Sequence, residues 1–274
     1  MKLAYQIATP DVHIAPGVTA YQGDLEASFR AVSACGYQGA ELMVCNPGTL
    51  DAQMLLHLAQ KYQLEIPMVC TGEIFGQDGL CFSDPDDTRR EEALRRTRDA
   101  VDLASQLGAQ VNIGRLRGGH MFGHPDEICL PRAVDGIRQT ARYAQQKHVT
   151  IAVEPVNPIA SNFINTTQEG LALIQEIHEP NCTLMLDSNH MFISDLDMLQ
   201  SIRDARKNFS YVHLVDSNRL YPGNCKLDFA AFLRTLQSVG YDGWLSVEVF
   251  QRPDQDTALR ESYRHLAPLL DNLH

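Results

Sequence analysis

Eight short β-branched or apolar runs alternate with eight stretches of helical period along the 274 residues. No glycine-rich dinucleotide fingerprint follows the first run, and the long connections follow strands rather than helices. These observations predict an α/β chain folded as one closed (β/α)8 TIM barrel, a single domain over residues 1–274, and not an open doubly wound sheet. A barrel of roughly 250 residues accounts for the length without a linker.

The first strand, residues 3–8, is apolar but for Gln6. In the helix at 24–35, Asp24 offers its side chain to the free N–H groups of the first turn, and Gly36 suits a left-handed C-cap. Strands at 40–45 and 66–71 flank a helix at 51–62, opened by Asp51. A helix at 87–107 stops at Gly108 before the strand at 110–114. Helices at 131–147, 167–178 and 195–207 lead to strands at 150–154, 183–187 and 211–215. The last helices, 228–239 and 256–270, bracket the strand at 245–250, with Gly240 as a third C-cap. Long segments follow strands one (9–23), three (72–86), four (115–130) and seven (216–227). In a barrel such connections build the active site, so all four open onto one face.

The formal net charge is −11, which disfavours nucleic acid and anionic membrane surfaces, because binding either relies on clustered Lys and Arg. No run reaches the roughly 18 apolar residues of a membrane span, and residues 1–9 lack the regions of a signal peptide. The expected location is the cytoplasm. Seven scattered cysteines with no C-x-x-C pair read as reduced, mostly buried thiols. Cys225 stands out by lying in the loop after strand seven.

The last four strands end in Ile-Ala-Val-Glu154, Leu-Met-Leu-Asp187, Tyr-Val-His213 and Leu-Ser-Val-Glu248. Their spacings of 33, 26 and 35 residues are each about one βα unit, so the four side chains converge on the mouth from consecutive strands. Any one of them taken alone is as well explained by a helix N-cap or an ion pair. Four in register, at the ends of strands that are ordinarily Val, Ile and Leu, point to one divalent metal ion, since three carboxylates crowded together need a cation. Carboxylate and imidazole ligands without thiolates suit Mn²⁺ best, with Co²⁺, Mg²⁺ and Zn²⁺ as alternatives.

The phrases Glu154-Pro155-Val156-Asn157, Leu186-Asp187-Ser188-Asn189-His190, His213-Leu214-Val215-Asp216-Ser217-Asn218-Arg219 and Ser246-Val247-Glu248 resemble the xylose-isomerase-like sugar isomerase and epimerase family, and within it ketose 3-epimerases of the D-tagatose 3-epimerase and 5-keto-L-gluconate epimerase type. The resemblance implies that Glu154, Asp187, His213 and Glu248 bind the metal, that Glu154 and Glu248 also move protons, and that His190 and Arg219 contact substrate oxygens. It further implies a small sugar substrate and a homo-oligomer. Inverting a carbon beside a ketone requires removing its proton from one face, holding an enediolate and returning a proton to the other face. Two opposed carboxylates meet that need.

In close relatives the segment after the strand-five Glu carries an Arg and, six residues on, a second acid; here Pro158 and Ala160 stand at those places. That departure keeps an inosose isomerase or dehydratase as the alternative reading. A DNA-repair nuclease of the endonuclease IV type fits less well, because strands three and four end without histidines. The run Arg115-Leu116-Arg117-Gly118-Gly119-His120 suits either a substrate anion or structural arginine pairs. Glu41 and Glu73 read as local caps or ion-pair partners before sugar contacts, and Trp244 as core. Tyr5, Phe75, Phe122 and Phe250 are candidates for lining a sugar pocket, whereas His57, His148, His178 and His265 fall on helices away from the mouth.

Overall fold

The computed structural model describes residues 1–273. Eight parallel strands close on themselves in sequence order: β1 Lys2–Ala8, β2 Gly39–Met43, β3 Met68–Cys70, β4 Gln110–Ile113, β5 Ile151–Val153, β6 Cys182–Asp187, β7 Phe209–Leu214 and β8 Trp244–Val247. The seam is closed by β1 against β8, from Lys2 opposite Trp244 to Tyr5 opposite Val247. The chain is therefore a (β/α)8 barrel, as the alternation predicts.

The helices are α1 Leu25–Cys35, α2 Ala52–Lys61, α3 Gly72–Gly76, α4 Asp87–Leu107, α5 Asp126–Gln146, α6 Thr167–Ile177, α7 Ser188–Ser194, α8 Met198–Ala205, α9 Phe229–Ser238 and α10 Gln255–Asp271. Side chains of Asp24, Asp51, Asp86, Thr166, Asp197, Asp228 and Asp254 accept from first-turn N–H groups, which fixes most of the starts the sequence signals. Gly36 and Gly108 end α1 and α4 in left-handed conformations.

Three places depart from expectation. The fifth helix begins at Asp126, ahead of Pro131, which lies inside it at the cost of one backbone hydrogen bond. The helix expected at 195–207 is the shorter α8, and the separate helix α7 at Ser188–Ser194 precedes the expected start. Asp195 does not open a helix there; its carboxylate accepts from Thr167 N and Oγ1 across the fold. Part of the long connection after β3 is the short helix α3.

One large apolar cluster fills the space between barrel and helices. A smaller one, Met68, Ala152, Met185 and Tyr211 with Trp244 against it, lies apart from it. Side chains two residues apart on a strand share a face. Asp187 therefore follows Met185 on its face of β6, and His213 follows Tyr211 on β7, so the ionisable groups are stacked above this apolar layer toward the strand C-termini.

Candidate metal centre

Glu154 and Glu248 follow the last residues of β5 and β8, Asp187 ends β6, and His213 lies near the end of β7. One ligand atom from each falls within 4.8 Å of the others, and all four residues are buried. The carboxylate of Asp187 divides its work: Oδ1 accepts from Asn189 N and His190 N, both at 2.8 Å, and so caps α7. Its Oδ2 has no hydrogen-bond partner. N-cap and ligand are compatible roles for one side chain.

His213 is oriented from behind. Its Nε2 lies 3.0 and 3.1 Å from the two oxygens of Glu41, itself fully buried and also held by Gln6 Nε2 at 2.9 Å. A proton on Nε2 satisfies Glu41 and leaves the Nδ1 lone pair free. That atom faces Glu154 Oε1 at 3.5 Å, Glu248 Oε2 at 3.6 Å and Asp187 Oδ2 at 3.9 Å. An imidazole fixed by a carboxylate on its far nitrogen is the usual support of a metal-bound histidine. Glu154 Oε1, Asp187 Oδ2 and His213 Nδ1 are all buried without a hydrogen-bond partner. Such orphaned polar atoms cost about 1–3 kcal/mol each, more when charged, unless something occupies the space between them. The donor set, three carboxylates and one neutral imidazole nitrogen, fits a divalent cation.

Charge crowding is visible in the proton affinities. Burial pushes the Asp187 and Glu248 carboxyls above the ordinary range, each aggravated by its acidic neighbours. Burial acts on Glu154 in the same sense, but His213, His190 and Arg219 outweigh it and hold Glu154 down to about 2. Glu41 and Glu248 drive His213 well above its usual value against its own burial.

Above these four residues opens a cavity of about 410 Å³, lined in part by Glu154, Asn157, His190, Arg219, Glu248 and Phe250. Arg219, at φ +60 in the loop after β7, donates through Nη2 to Glu248 Oε2 at 2.6 Å, with Nη1 3.8 Å from Asp187 Oδ2. Asp216 organises that loop: its carboxylate accepts from the backbone N–H groups of Ser217, Gly223, Cys225, Lys226 and Leu227. Asn157 Oδ1 accepts from Ile159 N at 3.0 Å, so its amide Nδ2 is the group that donates to His190 Nδ1 at 2.8 Å. The His190 proton therefore sits on Nε2, and burial, reinforced by Arg219, pushes the imidazolium down to about 3, leaving the ring neutral.

A family profile described as the xylose isomerase-like TIM barrel matches residues 29–269. The chain belongs to this family. A curated L-ribulose 3-epimerase of Methylomonas sp. (strain DH-1) is 29% identical over 87% of this chain and 85% of its own. A ketose 3-epimerase of Arthrobacter globiformis is 32% identical over 81% of this chain and 76% of its own. Among solved structures, a D-allulose 3-epimerase from Methylomonas sp. superimposes with a TM-score of 0.81 over 98% of both chains at 22% identity, a likeness of fold. The curated relatives are epimerases, which are isomerases, and the chain falls with them in that enzyme class.

Within this xylose isomerase-like barrel, all six expected site residues meet at one mouth. Phe250, Glu73 and Arg115 also line the cavity, whereas Phe122 is fully exposed and Tyr5 is buried core. Arg117 is structural: wholly buried, it donates to the carbonyls of Gly114, Glu154, Phe163 and Ile164 and fixes the loop after β5. All seven cysteines are free, and Cys225 is exposed. Glu41, read as a cap or ion-pair partner ahead of a sugar contact, is a pairing partner, of His213. Asn112, which donates to Glu154 Oε2 at 3.2 Å, and Asn157 had no signal of their own. Each lies one strand or one turn from an ionisable strand end, and that adjacency is the signal that finds them.

Proposed function

We propose that the chain is a divalent-metal-dependent epimerase that inverts C3 of a small ketose or keto-sugar acid through an enediolate, with Mn²⁺ as the working ion. Glu154, Asp187, His213 and Glu248 hold the ion. When bound, it polarises the ketone as a Lewis acid and stabilises the negative charge that develops on the substrate oxygens.

The chain's own residues supply the rest. Glu154 and Glu248, which both line the cavity from the ends of different strands, exchange the substrate proton. Neutral His190 donates from Nε2 to the ketone oxygen. Arg219 steadies Glu248 and adds a fixed positive charge in a buried site, where preorganised donors are worth several kcal/mol of barrier. Curated relatives named ketose and L-ribulose 3-epimerases support a ketose as the substrate class. Seven free thiols are in keeping with a cytoplasmic enzyme, and no helix among the described residues is long and apolar enough to cross a membrane.

The observation that carries the proposal is the group of orphaned atoms on Glu154, Asp187 and His213, facing one another at the foot of a sugar-sized cavity. NMR of candidate ketoses with Mn²⁺-loaded protein in D₂O tests it: deuterium should enter C3 together with formation of the C3 epimer. Label elsewhere, loss of a hydroxyl, or no exchange with any ketose contradicts the proposal.

A further inference from the structure

A second hollow of about 280 Å³ adjoins the cavity above the metal centre: Arg115, Ile159 and Ala160 line both. Of the shared residues Ala160 carries only a methyl group, and Ile159 is 83% exposed. The first cavity alone is already within the roughly 300–1,000 Å³ that takes a drug-sized ligand. A free ketose held at the metal leaves the second hollow unused.

Its walls have a definite character. Phe75, Met121 and Pro158 supply apolar surface, and Arg115 lies 5.5 Å over the Phe75 ring. Among the described residues, Arg115 Nε and Nη1 make no hydrogen bond, and neither does His120 Nε2. Apolar faces beside two unused guanidinium N–H donors and an imidazole acceptor, His120 Nε2 being without a proton when Nδ1 donates to Asp126, match a pyranose ring, which offers C–H patches and hydroxyl edges together. The charges argue against an anion. Arg115 Nη2 is 3.6 Å from Glu73 Oε1, and His120 Nδ1 is 2.7 Å from Asp126 Oδ1, so an anion in the hollow meets a carboxylate beside each of these groups.

Resting on the epimerase reading, we propose that the second hollow is a subsite for a neutral sugar ring, and that the preferred substrate is a ketose bearing a glycosyl substituent rather than a free monosaccharide. The test compares D-fructose, 1-O- and 6-O-glucosyl fructose and fructose 6-phosphate on the Mn²⁺-loaded protein. Turnover is followed by deuterium exchange and binding by calorimetry.

At least one glucosyl fructose should exceed fructose tenfold or more in kcat/KM and in affinity. Ala160→Phe, which fills the junction from an exposed position, should lower that preference at least tenfold. Phe75→Ala, which removes apolar wall without adding bulk, should lower it in the same direction. Equal or better use of free fructose, preference for the phosphate, or a preference that neither variant moves overturns the subsite. The two readings fail separately. Exchange with fructose but no gain from the glucosyl group sinks only the subsite; tight glucosyl fructose binding lost in Ala160→Phe, with no exchange on any ketose, upholds the subsite and sinks the epimerase.

Discussion

Replacing Glu41 by Gln probes the support of the metal centre without touching a ligand. Glu41, His213 and Gln6 are all fully buried, so no water is at hand to repair a lost hydrogen bond. Glu41 Oε1 already accepts from Gln6 Nε2 and, with Oε2, from His213 Nε2. A glutamine keeps one acceptor and puts an NH₂ group where the other oxygen was. Either that NH₂ confronts the His213 proton, or the imidazole moves its proton to Nδ1, the atom that should bind the ion. Loss of such an outer partner costs about 10–100-fold in metal affinity, which is about 1.4–2.7 kcal/mol. Glu41→Gln belongs near the lower figure because one acceptor survives, and Glu41→Ala near the upper. Competition against a chromophoric chelator measures the affinity, and thermal melting in excess EDTA shows whether the apo fold persists. If both variants fold and bind Mn²⁺ within threefold of the wild type, Glu41 is not a support of the site.

Further outcomes follow from the same geometry. Glu248→Gln should keep its fold and lose solvent exchange at C3 by about a hundredfold or more, in the range of a positioned acid or base; wild-type exchange would remove Glu248 from proton transfer. Because binding to the native state alone stabilises it, Mn²⁺ at a hundred times its Kd should raise the melting temperature of the EDTA-treated protein by on the order of 5–10 °C, and an unmoved melt would contradict a site of this kind. Asp216→Asn should destabilise the protein by about 1.5–3 kcal/mol, since an amide cannot accept all five backbone hydrogen bonds of the loop, and should reduce kcat/KM through Arg219. Backbone N–H groups of that loop, Cys225 first among them, hold the Asp216 carboxyl below its ordinary value despite burial. Its contribution is therefore complete above about pH 4 and lost as the pH falls through the lower folded value, so wild type and variant should converge on acidification. A stability difference that does not change with pH would contradict this.

The eight strands and the four ionisable strand ends were legible because parallel barrel strands are apolar and period-bound, so a charged residue at each end stands out against them. Cap residues such as Asp24 and Asp51 marked helix starts because capping is local chemistry. Asp195 misled for the opposite reason: its carboxylate is consumed by Thr167, 28 residues away, which no local pattern records. The sequence marks Glu41 as a pairing residue but not its partner, since His213 is 172 residues distant and only closure of the barrel brings them together. The loop after β5, which supplies Asn157, Ile159 and Ala160 to the cavity, was not among the four long connections singled out. Its course depends on the buried guanidinium of Arg117, and an arginine in a loop gives no sign of being buried.

Anomalous diffraction from a crystal soaked in manganese is the direct test of the metal centre. One peak should appear, ligated by Glu154, Asp187, Glu248 and His213 through Nδ1, with Glu41 still bonded to Nε2. An empty cluster, or a well-ordered ion bound elsewhere while these side chains point apart, would contradict it.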